Sequence, residues 1–284
     1  MTPPLASLPT EAWLALAALL GLLVGSFLNV VIHRLPRMLE REWQAQCEAL
    51  AGREPAQTPA YNLLTPGSAC PHCGHKIRWY ENIPLLSFAW LRGRCAACGQ
   101  PIGWRYPIVE AVSSAAALLA VWHFGATPQA AAAVVLLWAL IALTVIDLDT
   151  HLLPDRITQP LLWAGMLVNW QGLFVPLEDA LIGAVTGYLA LWLVYHAFKL
   201  ATGKEGMGYG DFKLLAALGA WLGWQMLPLV ILAASLTGAI VGIALIALAG
   251  HDRARPIPFG PWLALGGVIA LLWGEGLLRL YLGP

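Results

Sequence analysis

Two aspartates, each at the edge of a long apolar run, are the residues of this chain best suited to chemistry. Asp147 closes the run Val134 to Ile146, and Asp211 follows Gly208-Tyr209-Gly210 and opens the run from Leu214. An ionised carboxylate in hydrocarbon costs roughly 2.5 to 3.5 kcal/mol at mid-span and less toward the interface, so acids kept there point to function. Two carboxylates that share one proton hydrolyse amides: one draws a proton from a water, the other donates to the carbonyl oxygen. Asp147 and Asp211 are the expected pair. A lone Gly-x-Gly-Asp would read as a flexible loop whose aspartate caps the next helix. A second acid at the same depth turns the reading toward catalysis.

The neighbouring residues sort by position. Asp149 lies two residues beyond Asp147 and faces another direction if the helix continues. Asp155 follows Pro154 and is expected to cap the next helix. Around Asp211, Gly206, Gly208 and Gly210 argue against a regular helix; their peptide groups would be free to bind an extended substrate strand.

A second constellation is Cys70-Pro-His-Cys73 and Cys95-Ala-Ala-Cys98, two C-x2-C knuckles separated by 21 residues. Four thiolates at this spacing form a tetrahedral zinc site, and Gly74 and Gly99 suit the tight turn of each knuckle. Cys70, Cys73, Cys95 and Cys98 are the expected ligands of a structural zinc, since four thiolates leave no open position for catalysis. The competing reading is two disulfides, which a reducing cytoplasm disfavours. His72 and His75 flank the knuckles as substitute ligands, and Cys47 is left unpaired.

The elements that must position these groups are membrane spans. Hydrophobic residues make up 59% of the 284 residues and charged ones 11%, a composition that excludes an ordinary soluble domain. The net charge of +0 gives no footprint for nucleic acid. Apolar runs predict spans over 13–33, 107–124, 129–147, 157–175, 180–199, 212–225, 227–249 and 259–282, the sixth being short. The first is read as a retained anchor, with no small-residue cleavage pattern after it. With the amino terminus outside, 15 of the 16 basic residues (all but Arg279, and including Arg253 and Arg255) fall on one side. The positive-inside rule makes that side the cytoplasm and puts both aspartates at its boundary. Residues 34–106 form the one sizeable extramembrane piece, with a short helix over 38–50. Gly21/Gly25, Gly183/Gly187, Gly219/Gly223 and Gly238/Gly242 predict close helix packing.

Taken in order, several stretches resemble one family nearly end to end. They are Gly25-Ser-Phe-Leu-Asn-Val-Val-Ile-His-Arg-Leu-Pro36, the two cysteine knuckles, Glu81-Asn-Ile-Pro84, Arg105-Tyr-Pro-Ile-Val-Glu110, the Asp147 segment, Gly208-Tyr-Gly-Asp211 and Pro256-Ile-Pro-Phe-Gly-Pro261. The chain is similar to the type IV prepilin peptidases, bifunctional leader peptidases and N-methyltransferases of the bacterial inner membrane, and its Gly-x-Gly-Asp resembles that of other intramembrane aspartyl proteases. The resemblance implies an all-α polytopic bundle of about eight spans with a small cytoplasmic zinc insertion. It would be divided into a first span (1–33), a four-cysteine domain (34–106) and a protease bundle (107–284).

It also implies Asp147 and Asp211 as catalytic residues, with prepilins and pseudopilins of pilus assembly or type II secretion as substrates. Each would carry a basic leader ending in Gly ahead of an apolar helix lying in the lipid. A second activity is implied, S-adenosylmethionine-dependent methylation of the new amino terminus, with Glu81 and Gly93 as contributors. Without a Gly-x-Gly-x-x-Gly fingerprint, this rests on the resemblance; by itself Gly93 reads as a turn glycine. Glu110 is a candidate for holding the leader. Two other readings are a proton-coupled transporter using the same aspartates and a non-catalytic assembly factor docking through the zinc module. The first requires ionisable residues spread through the bilayer, whereas here they gather at one face.

Overall fold

The computed structural model describes residues 9–53, 59–249 and 257–282, and its described residues are helical apart from turns and two isolated bridges. Arg253, Arg255 and Pro256 lie outside them. Among the described residues, nine α-helices follow in order: α1 (Thr10–Leu50), α2 (Leu86–Trp90), α3 (Arg105–Phe124), α4 (Pro128–Thr150), α5 (Asp155–Asn169), α6 (Leu177–Thr202), α7 (Tyr209–Leu222), α8 (Leu227–Ala249) and α9 (Gly260–Leu282). Six helices among the described residues are long and apolar enough to cross a bilayer: α1, α3, α4, α6, the stretch Trp224–Leu248, and α9. The chain is a multi-pass membrane protein.

The other two expected spans are shorter. α5 has 15 residues and α7 has 14, about 22 and 21 Å of helix against a hydrocarbon core of roughly 30 Å. For α7 the reason lies in its surroundings. From Asp211 to Leu222 every residue except Lys213 is buried. A helix apolar on all sides is an interior element whether or not it spans. Hydropathy therefore marks it correctly as water-avoiding but does not say that protein, rather than lipid, covers it.

The chain divides into two compact units, residues 1–138 and 139–284. In the first, α1 packs on α3. A Cβ added to Gly21 would lie 2.6 Å from Ser114 Cα, and one on Gly25 would lie 2.7 Å from Glu110 Cα. The absent side chains thus let two backbones meet. Asn29 donates to the Tyr106 carbonyl at 3.1 Å across the same seam.

No separate helix forms over 38–50. α1 runs on for 41 residues with Pro36 inside it, about 62 Å and twice the hydrocarbon thickness. Proline removes a helix hydrogen bond and normally ends the helix. Here Leu35 and Pro36 are buried, and the buried Arg34 guanidinium donates to the Asn62 carbonyl at 2.9 Å. Tertiary contacts override the local stop signal.

In the second unit α7 is packed by α5, α6 and α9. Gly183 of α6 and Gly219 of α7 face each other so closely that a Cβ on either would strike the other's carbonyl oxygen, and one on Gly187 would sit 2.7 Å from that of Leu215. Two of the expected small-residue pairs therefore contribute to a single seam. Gly223 has another job: it ends α7 at φ 81°, a left-handed conformation suited to glycine. Asn169 closes the far end of the unit. It donates to the carbonyls of Ala220 and Trp221 at 2.9 and 3.0 Å and accepts from the amides of Phe174 and Val175.

Candidate active site and metal centre

Asp147 sits in the last turn of α4 and Asp211 in the first turn of α7, 5% and 7% exposed. Leu153 packs against both the glycine preceding Asp211 and Gly260, which abuts the Asp147 carboxylate. The second unit thus brings together the two aspartates that the sequence pairs. Each carboxylate has a backbone amide beside it. Asp147 Oδ2 accepts from the Gly260 amide, which opens α9, at 3.0 Å. The Asp211 carboxyl meets the amide of Gly208, the residue capping α7. Asp211 Oδ1 is buried with no hydrogen-bond partner among the described groups. A buried oxygen left in that state costs free energy unless water or substrate fills the position.

The glycine segment differs from its expected form. Tyr209 and Gly210 already belong to α7, so the helix begins ahead of Asp211. A Cβ on Gly210 would lie 2.7 Å from Leu153 Cβ; the glycine is required by packing, and the helix tolerates it. Gly206 lies under Phe198, where a Cβ would come within 2.9 Å of the ring. The segment is further held by the Lys199–Glu205 ion pair at 2.7 Å.

Asp149 is exposed, on a different side of α4 from Asp147. Asp155 does not cap α5. Pro154 occupies the cap position, and Asp155 is the first helical residue with no side-chain cap bond. Both its oxygens accept from Lys213 Nζ at 2.7 Å instead. The sequence reading missed Gly260, Leu153 and Lys213. Gly260 lay within a quoted motif and Lys213 two residues beyond another, but their partners are far away in sequence.

The four cysteines converge as expected. Their Sγ atoms lie within 4.8 Å of one another, with Cys70 to Cys98 at 3.8 Å and Cys73 to Cys95 at 4.0 Å. A zinc–thiolate length of about 2.3 Å in a tetrahedron gives sulfur separations of about 3.8 Å, whereas a disulfide is near 2.05 Å. All five cysteines are free thiols. The geometry is that of a metal cage, not of two bridges. Its halves repeat one design: the Gly74 amide donates to the Cys70 carbonyl and that of Gly99 to the Cys95 carbonyl, both at 2.9 Å. The amides of Cys73 and His72 hold the Cys70 thiol down at about 7.

Beside the cage, Glu81 accepts from the Arg78 amide at 2.9 Å and pairs with His75 at 3.1 Å. That amide, more than the imidazole, holds the Glu81 carboxyl below the usual range. Gly93 turns at φ 67° with Phe88 3.0 Å from where its Cβ would be. Glu110 accepts from the Leu85 amide at 2.9 Å and from Ser26, so its carboxylate is engaged within its own unit.

Residues 19–124 match the bacterial peptidase A24 N-terminal domain, and residues 134–243 match the type IV leader peptidase family. The chain belongs to the type IV leader peptidase family. Its relatives include the prepilin leader peptidase/N-methyltransferase of Pseudomonas aeruginosa, 56% identical over 95% of this chain and 94% of that protein. The protein of the same name from Aeromonas hydrophila is 58% identical over 95% and 94%. That from Stutzerimonas stutzeri is 55% identical over 99% and 98%. No solved structure gives a significant match. In this chain both aspartates are buried and the four cysteines gather in one cage.

Proposed function

We propose that this family member cleaves the leader from prepilins and pseudopilins, with Asp147 and Asp211 as its catalytic residues. The observation that carries the reading is the pair itself: two buried carboxylates on different helices, next to glycines that both pack on Leu153, with Asp211 Oδ1 lacking a partner among the described groups. Two like charges in one site are costly, so the pair holds one proton between them. The ionised member takes a proton from water, the protonated member donates to the scissile carbonyl, and the water oxygen bonds to the carbonyl carbon. Collapse of that intermediate breaks the C–N bond, and the amine leaves with a proton returned from the dyad. The Gly260 amide holds Oδ2 of Asp147, so that carboxylate need not reorganise during reaction.

Zinc is the metal that fits four thiolates at these separations; it would tie the two knuckles together and leave no open position. The new amino terminus then takes a methyl group from S-adenosylmethionine, whose sulfonium makes that group electrophilic. The reading assigns this step to the amino-terminal unit with Glu81 and Gly93, on the strength of the relatives' name and the domain matched there. The protein would lie in the inner membrane with its dyad at the cytoplasmic boundary, as the basic residues require.

Mass spectrometry of a prepilin incubated with the purified protein tests both activities. The expected result is loss of the leader mass, then a gain of one methyl that depends on S-adenosylmethionine. An unchanged prepilin would refute the peptidase reading; cleavage without methyl gain would refute the second.

A further inference from the structure

We propose that Asp155 and Lys213 form a positioning pair that sets the spacing of the two aspartates. The proposal rests on the reading of Asp147 and Asp211 as the dyad. Lys213 Nζ donates to both oxygens of Asp155 at 2.7 Å, a symmetric contact between the fifth residue of α7 and the first residue of α5. Residues two apart on a helix point about 200° from each other. Lys213 therefore looks away from the side of α7 that carries Asp211, and its amine acts through the helix rather than on the reacting atoms. Asp155 is reached from Asp147 through the rest of α4 and the short turn 151–154, whose first residue, His151, takes φ 55°. Each member of the pair is thus joined by a short, bent or helical stretch of backbone to one carboxylate of the dyad.

Leu153, within that turn, packs toward the α7 stretch. A Cβ on Gly210 would lie 2.7 Å from Leu153 Cβ. One on Gly260 would lie 3.1 Å from Leu153 Cδ2 and 2.6 Å from Asp147 Oδ2. Leu153 is thus wedged between the glycine preceding Asp211 and the glycine whose amide holds Asp147. The wedge keeps the two sides apart and the ion pair keeps them together, so the gap between the carboxyl groups is fixed from both directions. Asp155 and Lys213 side chains are 59% and 28% exposed, and exposed pairs contribute little to stability. Their loss should move the dyad without unfolding the protein. A misplacement of about 1 Å in an active site costs on the order of a hundredfold in rate.

The test is steady-state cleavage of a prepilin by the full-length protein in lipid vesicles, with Asp155→Asn, Lys213→Met, and the exchanged pair Asp155→Lys with Lys213→Asp. The single variants should lose about a hundredfold in kcat at unchanged KM and unfolding temperature, and the exchanged pair should recover most of it. Single variants with parental kcat, a loss confined to KM, or a folded exchanged pair no better than the singles would each overturn the proposal. Should a single variant not fold, the exchanged pair alone decides the matter. Asp211→Asn is run beside them. Full activity there defeats the dyad reading, whereas an inactive Asp211→Asn with an unaffected Lys213→Met defeats only the positioning pair.

Discussion

The Gly260 amide donates to Oδ2 of Asp147 at 3.0 Å, so the first residue of α9 fixes a carboxylate 113 positions earlier in the chain. The contact needs a glycine for steric reasons: a Cβ there would stand 2.6 Å from that same oxygen. Gly260→Ala is predicted to displace the Asp147 carboxylate and lower kcat for leader cleavage by about a hundredfold, the scale of a misplaced catalytic group. Cleavage kinetics of the variant beside its unfolding temperature check this; a full-rate, normally folded Gly260→Ala would show that the amide contact is dispensable.

The four-thiol cage predicts one zinc per chain by elemental analysis, and none bound after Cys98→Ser together with Cys73→Ser. Binding displaces protons from thiols, so affinity falls as pH falls. With Cys70 held at about 7, that thiol is mostly ionised above pH 7 and protonated below it. Zinc retention against a fixed chelator should therefore weaken progressively from pH 8 to pH 6. A pH-independent retention would count against thiolate ligation.

Removing the metal should also loosen residues 59–104. Little apolar side-chain burial supports this stretch: Pro84 is its one fully buried residue among those described. Limited proteolysis after chelation should cut there and spare the spanning helices. Equal resistance with and without metal would mean that the segment is held by other contacts.

Gly183 and Gly219 meet backbone to backbone, where a Cβ on either would strike the other's carbonyl oxygen. Gly219→Ala must push α6 away from α7, and overpacking of this kind costs about 1 to 3 kcal/mol. The expected outcome is a lower unfolding temperature together with reduced cleavage, because α7 carries Asp211. An unchanged unfolding temperature would show that the seam yields without cost.

These predictions draw on two kinds of information. The cysteine cage was legible because each knuckle is a local motif whose turn geometry is written into four consecutive residues. The burial of both aspartates at helix ends was legible because each stands at the edge of an apolar run. What was not legible depends on distant partners. A span over 13–33 and a short helix over 38–50 read as separate, yet α1 passes through Pro36, where Leu35 and Pro36 are buried and Arg34 is bonded to Asn62. Asp155 reads as a cap, yet its partner is Lys213, 58 residues away. The composition of α7 says that it avoids water; only its packing against α5, α6 and α9 shows that protein, rather than lipid, covers this 14-residue helix.

The central claim is that Asp147 and Asp211 act as one unit. Cleavage rates of Asp147→Asn, Asp211→Asn and the double variant, measured on folded protein in vesicles, test it most directly. Groups that act as a unit give non-additive losses. Each single variant should therefore be as inactive as the double, with cleavage of the prepilin abolished in all three. Residual turnover in either single variant well above that of the double would contradict the account.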